Sequence, residues 1–167
     1  MEYFELIEKR HSVRAYKPDA VEDEKLQKIL EAGRLAPTAC NLQAFKLYVI
    51  KTQGNEDALR KIYGREWFIQ GPYVIAICSM PEKNWVRSDG KNYADVDATI
   101  VMDHMILAAT ALGLGTCWIG AFKPQAAREF LGLDSSLEPV AFTPIGYPAD
   151  GAFKKVRKTM DELVIYK

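Results

Sequence analysis

Arg10, Ser12 and Arg14 stand at alternate positions in Glu8-Lys9-Arg10-His11-Ser12-Val13-Arg14-Ala15-Tyr16. Alternate side chains of an extended segment share a face, so two guanidiniums would flank one hydroxyl. Guanidiniums hold phosphate through paired, charge-assisted hydrogen bonds. The stretch reads as a clamp for an anion such as phosphate or, taken alone, as a solvated basic turn. A second basic pair, Lys155 and Arg157, follows a glycine-containing turn near the end of the chain. It too could reach an anion.

Two further stretches offer binding groups. Ala36-Pro37-Thr38-Ala39-Cys40-Asn41-Leu42-Gln43 follows one helical pattern and precedes a strand. Its backbone N–H groups and side-chain amides suit a planar polar ligand; as an ordinary helix-to-strand loop, Asn41 would instead serve local backbone groups. Gly113-Leu114-Gly115-Thr116-Cys117-Trp118-Ile119-Gly120 reads as a helix cap followed by a core strand, with close backbone approach to a ligand at Gly120 as the functional alternative. Cys40 has no nearby base and reads as a small inert residue.

Other chemistries find little support. His11 and His104 are the only histidines and neither has a partner at metal-ligand spacing, so no metal is expected. His104 reads as a packed helical residue. No serine has the G-x-S-x-G setting of a hydrolase nucleophile. The dinucleotide and Walker A fingerprints are missing, and Gly113-Leu114-Gly115 follows a helix rather than a strand. The 22 basic residues balance the 22 acidic ones, which argues against nucleic-acid binding by bulk charge. No signal peptide or membrane span is expected, since the apolar stretch from Thr99 to Trp118 contains Asp103 and His104. Cys40, Cys78 and Cys117 have no paired spacing, which predicts reduced thiols in a cytoplasmic protein.

The elements that would position these residues follow from periodicity. Helices are expected over residues 2–10, 22–35 (with Gly33 as a packing residue), 55–63 and 95–112, and between Pro124 and Gly132. Gly113 and Gly115 are expected to cap the longest one. Strands are expected over 45–51, 73–78, 116–120 and 139–145, and the unbroken apolar run 73–78 marks a central strand. Helices and strands interleave without strict βαβ order. That predicts one α+β domain over residues 1–167, a sheet covered by helices.

Together the three stretches and the chain's ending resemble the nitroreductase family of FMN-dependent oxidoreductases. Arg10 to Tyr16 is similar to its R-x-S-x-R-x-[YF] opening, and Ala36 to Gln43 to its A-P-S-x-x-N-x-Q motif. Gly113 to Gly120 is similar to its G-L-G-[ST]-x-W-I-G element. Pro144-Ile145-Gly146-Tyr147-Pro148, followed by Lys155 and Arg157, is similar to its I-G-Y-P…K-x-R ending.

The resemblance implies a nitroreductase-like central mixed or antiparallel sheet flanked by helices, in an intertwined homodimer with flavin at the interface. It implies bound FMN, NAD(P)H as co-substrate, and ping-pong hydride transfer at FMN N5 to nitroaromatics, quinones, flavins or enones, with no catalytic side chain. The implied FMN-binding set is Arg10, His11, Ser12, Arg14, Pro37, Thr38, Ala39, Asn41, Gln43, Cys117, Trp118, Ile119, Gly120, Lys155 and Arg157. Within it, Arg10, Ser12 and Arg157 match phosphate and ribityl ligands, with Lys155 beside them. Arg14 matches a cation near the pyrimidine end of the ring. Thr38, Ala39 and Asn41 match a loop supplied by the partner subunit, and a backbone N–H of Trp118 to Gly120 matches the N5 contact. The chain departs from the family where Gln43-Ala44-Phe45 replaces Gln-Pro-Trp and where Ile119 stands at a position often glutamate. It offers no match for the mid-chain amide and lysine of longer members, and Tyr63 to Gln70 would cap the substrate side instead. A non-catalytic flavin-binding or redox-sensing protein, or a relative using reduced flavin for dehalogenation or flavin fragmentation, would keep the same motifs.

Overall fold

The chain from Tyr73 to Cys78 is apolar at every position, and it forms the inner strand β2 (Tyr73–Ser79) of a four-stranded sheet. The computed structural model describes residues 2–151 and 154–167. β2 pairs antiparallel with β1 (Phe45–Lys51) and with β4 (Glu138–Gly146), and β3 (Gly115–Thr116) pairs antiparallel with the end of β4. The order across the sheet is β1-β2-β4-β3. The expected antiparallel sheet with flanking helices is thus observed.

Alternation along β2 sends Ile75 and Ile77 to one face and Val74 and Ala76 to the other. All four are fully buried. On the first face they pack with Leu26 and Ile29 of α2 (Asp23–Arg34) and Val101 and Met105 of α4 (Ala94–Ala111). Met105 lies over Gly33, where an added Cβ would meet its Cγ and Sδ at 2.9 Å. The second face is covered by α3 (Glu56–Ile62), α5 (Pro124–Leu131) and a 3₁₀ turn, Glu66–Ile69, through Leu59, Ile62, Ala127 and Phe68, which pack with Phe142 of β4. Truncating Phe142 to Ala would cost about 3–5 kcal/mol on the usual scale for buried aromatics. The terminal helices α1 (Tyr3–Lys9) and α6 (Met160–Leu163) bury none of their residues. No helix among the described residues is long and apolar enough to cross a membrane.

Two local expectations change. Only Gly113 caps α4: its φ is 79°, and the Leu114 N–H donates to Ala109 O at 2.9 Å. The left-handed turn is the usual glycine-dependent helix end. The strand expected over 116–120 is reduced to Gly115–Thr116 and a single bridge between Ile119 and Phe142. The cause is at Cys117, whose N–H donates to the Thr143 hydroxyl at 3.1 Å rather than to a strand carbonyl.

Candidate functional site

The opening segment is held along β3. Ser12 bridges Thr116, and the Val13 N–H donates to Thr116 O at 2.9 Å. Gly115 permits this, since a Cβ there would stand 2.7 Å from Cγ2 of Val13. Tyr16 closes the turn: its buried hydroxyl donates to Val13 O at 3.0 Å and its N–H to Gln70 Oε1 at 3.1 Å. Burial, then Cys117 and Asp150, push the Tyr16 phenol up, so it stays a neutral donor.

So held, Arg10, His11, Ser12 and Arg14 line one wall of an open pocket of about 380 Å³, and Lys154, Lys155, Val156 and Arg157 line the other. Both halves of the clamp read from the sequence meet here, across more than 140 residues of chain. Among the described residues no carboxylate lines the pocket. Lys155 carries the mark of that imbalance. Burial, then the guanidiniums of Arg10 and Arg157, hold its ammonium below the usual lysine range. Its Nζ donates to Ile7 O at 2.5 Å, which fixes the second wall to α1. Cys117 lies beneath: burial raises its thiol, while Arg14, the Ser12 hydroxyl and Arg10 act against that. Cys40, Cys78 and Cys117 are all free, and burial pushes the Cys78 thiol up to about 12.

Arg14 faces two ways. Its Nη1 lies 3.5 Å from Ser12 O, and its guanidinium carbon stands 6.0 Å from the centroid of the Trp67 ring. Trp67 packs edge-on against Tyr63. The segment from Tyr63 to Gln70 therefore borders the Arg14 side of the pocket.

Trp118 is 38% exposed, whereas Ile119 is 3% exposed and packs with Phe142 and Phe68. The Ile119 N–H donates to Phe142 O at 2.9 Å and its carbonyl accepts the Phe142 N–H at 3.0 Å. Its backbone is committed to the sheet. The N–H groups of Trp118 and Gly120 donate to no hydrogen-bond partner among the described residues.

The Pro37–Gln43 loop is built with strain and lies elsewhere. Cys40, Asn41 and Gln43 have φ of 49°, 53° and 51°, left-handed values that cost non-glycine residues about 1–2 kcal/mol each. Three contacts hold them: the Ala39 N–H donates to both Asp97 oxygens at 3.0 and 3.1 Å, the Gln43 N–H to Thr38 Oγ1 at 3.0 Å, and the Gln43 amide to Asn41 Oδ1 at 3.2 Å. The loop enters β1, whose first residue Phe45 aligns through Ser79 with Glu138 at the start of β4. The pocket lies beside Gly115, which pairs with Gly146 at the other end of β4. A nine-residue strand, eight rises of about 3.3 Å, separates the two by roughly 26 Å. Within one chain, Pro37, Thr38, Ala39, Asn41 and Gln43 do not meet the cationic pocket.

Lys154, Asp97, Gln70 and Asp150 were not read from the sequence. Lys154 adjoins the visible Lys155–Arg157 pair. The other three act through contacts distant in the chain and leave no local pattern. Among the described residues no three His, Cys, Asp or Glu side chains gather as a metal site.

The model of the nitroreductase family matches residues 7–67 and 55–147. A nitroreductase family protein from Clostridium difficile 630, known from its crystal structure, is 37% identical with a TM-score of 0.92, covering 100% of this chain and 99% of its own. A candidate nitroreductase from Desulfovibrio desulfuricans, crystallised in complex with FMN, is 29% identical with a TM-score of 0.86, over 98% of this chain and 95% of its own. A protein named NADH dehydrogenase from Thermus thermophilus is 26% identical over 95% of this chain and 93% of its own. The α+β sheet is that of a nitroreductase-type fold, and the chain belongs to the nitroreductase family.

Proposed function

We propose that this protein is an FMN-dependent oxidoreductase that uses NAD(P)H to reduce nitroaromatics, quinones, flavins or similar acceptors, and that it works as a homodimer. The observation that carries the reading is the pocket of five cationic side chains, Arg10, Arg14, Lys154, Lys155 and Arg157, with no carboxylate in its lining. Its charge fits a phosphate monoester, and the family membership and the FMN-bound relative support FMN as that ligand.

Arg10, Ser12 and Arg157 would hold the phosphate, with Lys155 fixed behind them by Ile7 O. Arg14, set between the pocket and Trp67, would place positive charge where negative charge develops on the ring. The free N–H groups of Trp118 and Gly120, and not that of Ile119, would meet the ring edge. When bound, FMN supplies the hydride acceptor and donor, so the protein needs no nucleophilic side chain.

The separation of the two half-sites supports the dimer. A loop roughly 26 Å from the pocket of its own chain would serve the pocket of another. The terminal segments also expose apolar side chains that a second copy would cover, among them Phe4 at 75%, Val156 at 83% and Ile165 at 83%. Three free cysteines fit a reducing cytoplasm.

Visible absorption with anaerobic reduction tests the reading. The purified protein should be yellow, or become so with added FMN, and NADH or NADPH should bleach it. A protein that takes up no FMN refutes the flavin reading. A yellow protein that neither nucleotide bleaches would instead be a flavin-binding protein without this activity.

A further inference from the structure

Two buried side-chain polar atoms among the described residues lack a hydrogen-bond partner, and they face each other. His11 Nε2 and Asp150 Oδ1 are 3.7 Å apart. The remaining polar atoms of both side chains are engaged. His11 Nδ1 lies 3.2 Å from Lys9 O, and Asp150 Oδ2 accepts the Arg14 N–H at 2.7 Å. These contacts continue a ladder. The Lys17 N–H donates to Tyr147 O and the Ala149 N–H to Ala15 O, both at 2.8 Å. Where the backbone rungs stop, the Asp150 carboxylate supplies the next rung. Four residues later the chain enters the second wall of the pocket at Lys154.

We propose that His11 and Asp150 are positioning residues, a latch that sets the spacing between the two walls of the anion pocket and ties anion affinity to the charge on the imidazole. The latch rests on reading that pocket as the FMN phosphate site. Lys9 O can only accept, so His11 Nδ1 carries a hydrogen. Nε2 faces a carboxylate, so pairing requires a hydrogen there as well. Only the imidazolium supplies both. The neutral ring would present a lone pair to Asp150.

The charged groups around the ring set the balance. Asp150 attracts the imidazolium. Arg10, Arg14, Lys154, Lys155 and Arg157 border it in the anion pocket, and Lys9 borders it in a neighbouring crevice with Val13 and Gly115. All six repel it. A phosphate in the pocket offsets that repulsion and favours the closed latch.

The test is FMN dissociation constants and apoprotein melting temperatures for wild type, His11→Ala, Asp150→Ala, the double variant and Asp150→Asn, at pH values from about 5.5 to 8.5, spanning ordinary imidazole titration. Each alanine variant should weaken FMN about tenfold, and the double variant no more than either alone, as for contacting residues. In Asp150→Asn the amide oxygen can accept the Arg14 N–H and the amide nitrogen can donate to a neutral imidazole. Relative to this variant, wild type should lose affinity as pH rises across that series. The ratio cancels the titration of the FMN phosphate itself. Additive losses, or a ratio flat with pH, would overturn the latch. A purely structural contact would lower the melting temperature without moving that ratio. If wild type takes up no FMN, the flavin reading fails, and the latch is judged with inorganic phosphate as the probe, by the phosphate-induced rise in melting temperature of the same variants. Coupled losses in the double variant would then support it, and additive ones would overturn it.

Discussion

An added Cβ on Gly115 would stand 2.7 Å from Cγ2 of Val13, closer than packed carbon atoms approach. This one missing methyl lets the opening segment lie against β3 and brings Arg10 and Ser12 to the pocket. Gly115→Ala should destabilise the fold by about 1–3 kcal/mol, the usual cost of overpacking. It should also lower FMN affinity, because the segment must lift from Thr116. Melting temperature and flavin retention on desalting check both effects. Wild-type values for both would mean that the contact is not needed.

Asp97 has a comparable role at the other end of the sheet. It is 3% exposed and accepts hydrogen bonds from the Ala39 N–H and, at 3.0 Å, from Asn84 Nδ2. Asp97→Ala leaves those two donors without their acceptor, at about 1–3 kcal/mol each. The strained Cys40–Gln43 backbone should then relax. The expected result is a lower melting temperature together with weaker FMN binding. Asp97→Asn, which keeps one acceptor, should lose less of both.

The contrast between these anchors and the clamp shows which features could be read from the sequence. The clamp is local: Arg10, Ser12 and Arg14 alternate within five residues, and Lys155 and Arg157 within three. β2 announces itself as an apolar run, and α2 as an amphipathic one. Asp97 holds a loop nearly sixty residues away, and Asp150 pairs with a histidine at the other end of the chain. Such pairings depend on the strand order, which periodicity does not determine. The same limit explains β3. Nothing in Thr116–Gly120 reveals that the Cys117 N–H goes to a threonine side chain. Ile119 likewise matched a flavin-facing position by motif, yet the bridge to Phe142 turns its side chain into the core and spends its N–H.

Lys155 gives the pocket a pH dependence. Its folded-state value lies below the ordinary 10.5, because of burial first and then Arg10 and Arg157. Between that lowered value and 10.5 the unfolded chain binds more protons at this site than the folded one. The apoprotein therefore carries the full penalty of the buried charge at neutral pH and sheds it as pH rises through this window. Phosphate binding should show the opposite trend, since the anion needs the ammonium. FMN affinity should fall with rising pH before free lysine would titrate, and Lys155→Arg should flatten that fall. Titrations with FMN at several alkaline pH values, on both proteins, measure it. An identical fall in the variant would remove Lys155 from the binding account.

In the proposed site Arg10 and Arg157 close on the FMN phosphate. Comparing FMN with riboflavin, which lacks the phosphate, on wild type and on the Arg10→Ala, Arg157→Ala double variant isolates that contact. The variant should lose about 2–5 kcal/mol of FMN affinity, as for charge pairs broken in a binding site, while riboflavin binding stays within a few-fold. Unchanged FMN affinity, or an equal loss for both ligands, would contradict it.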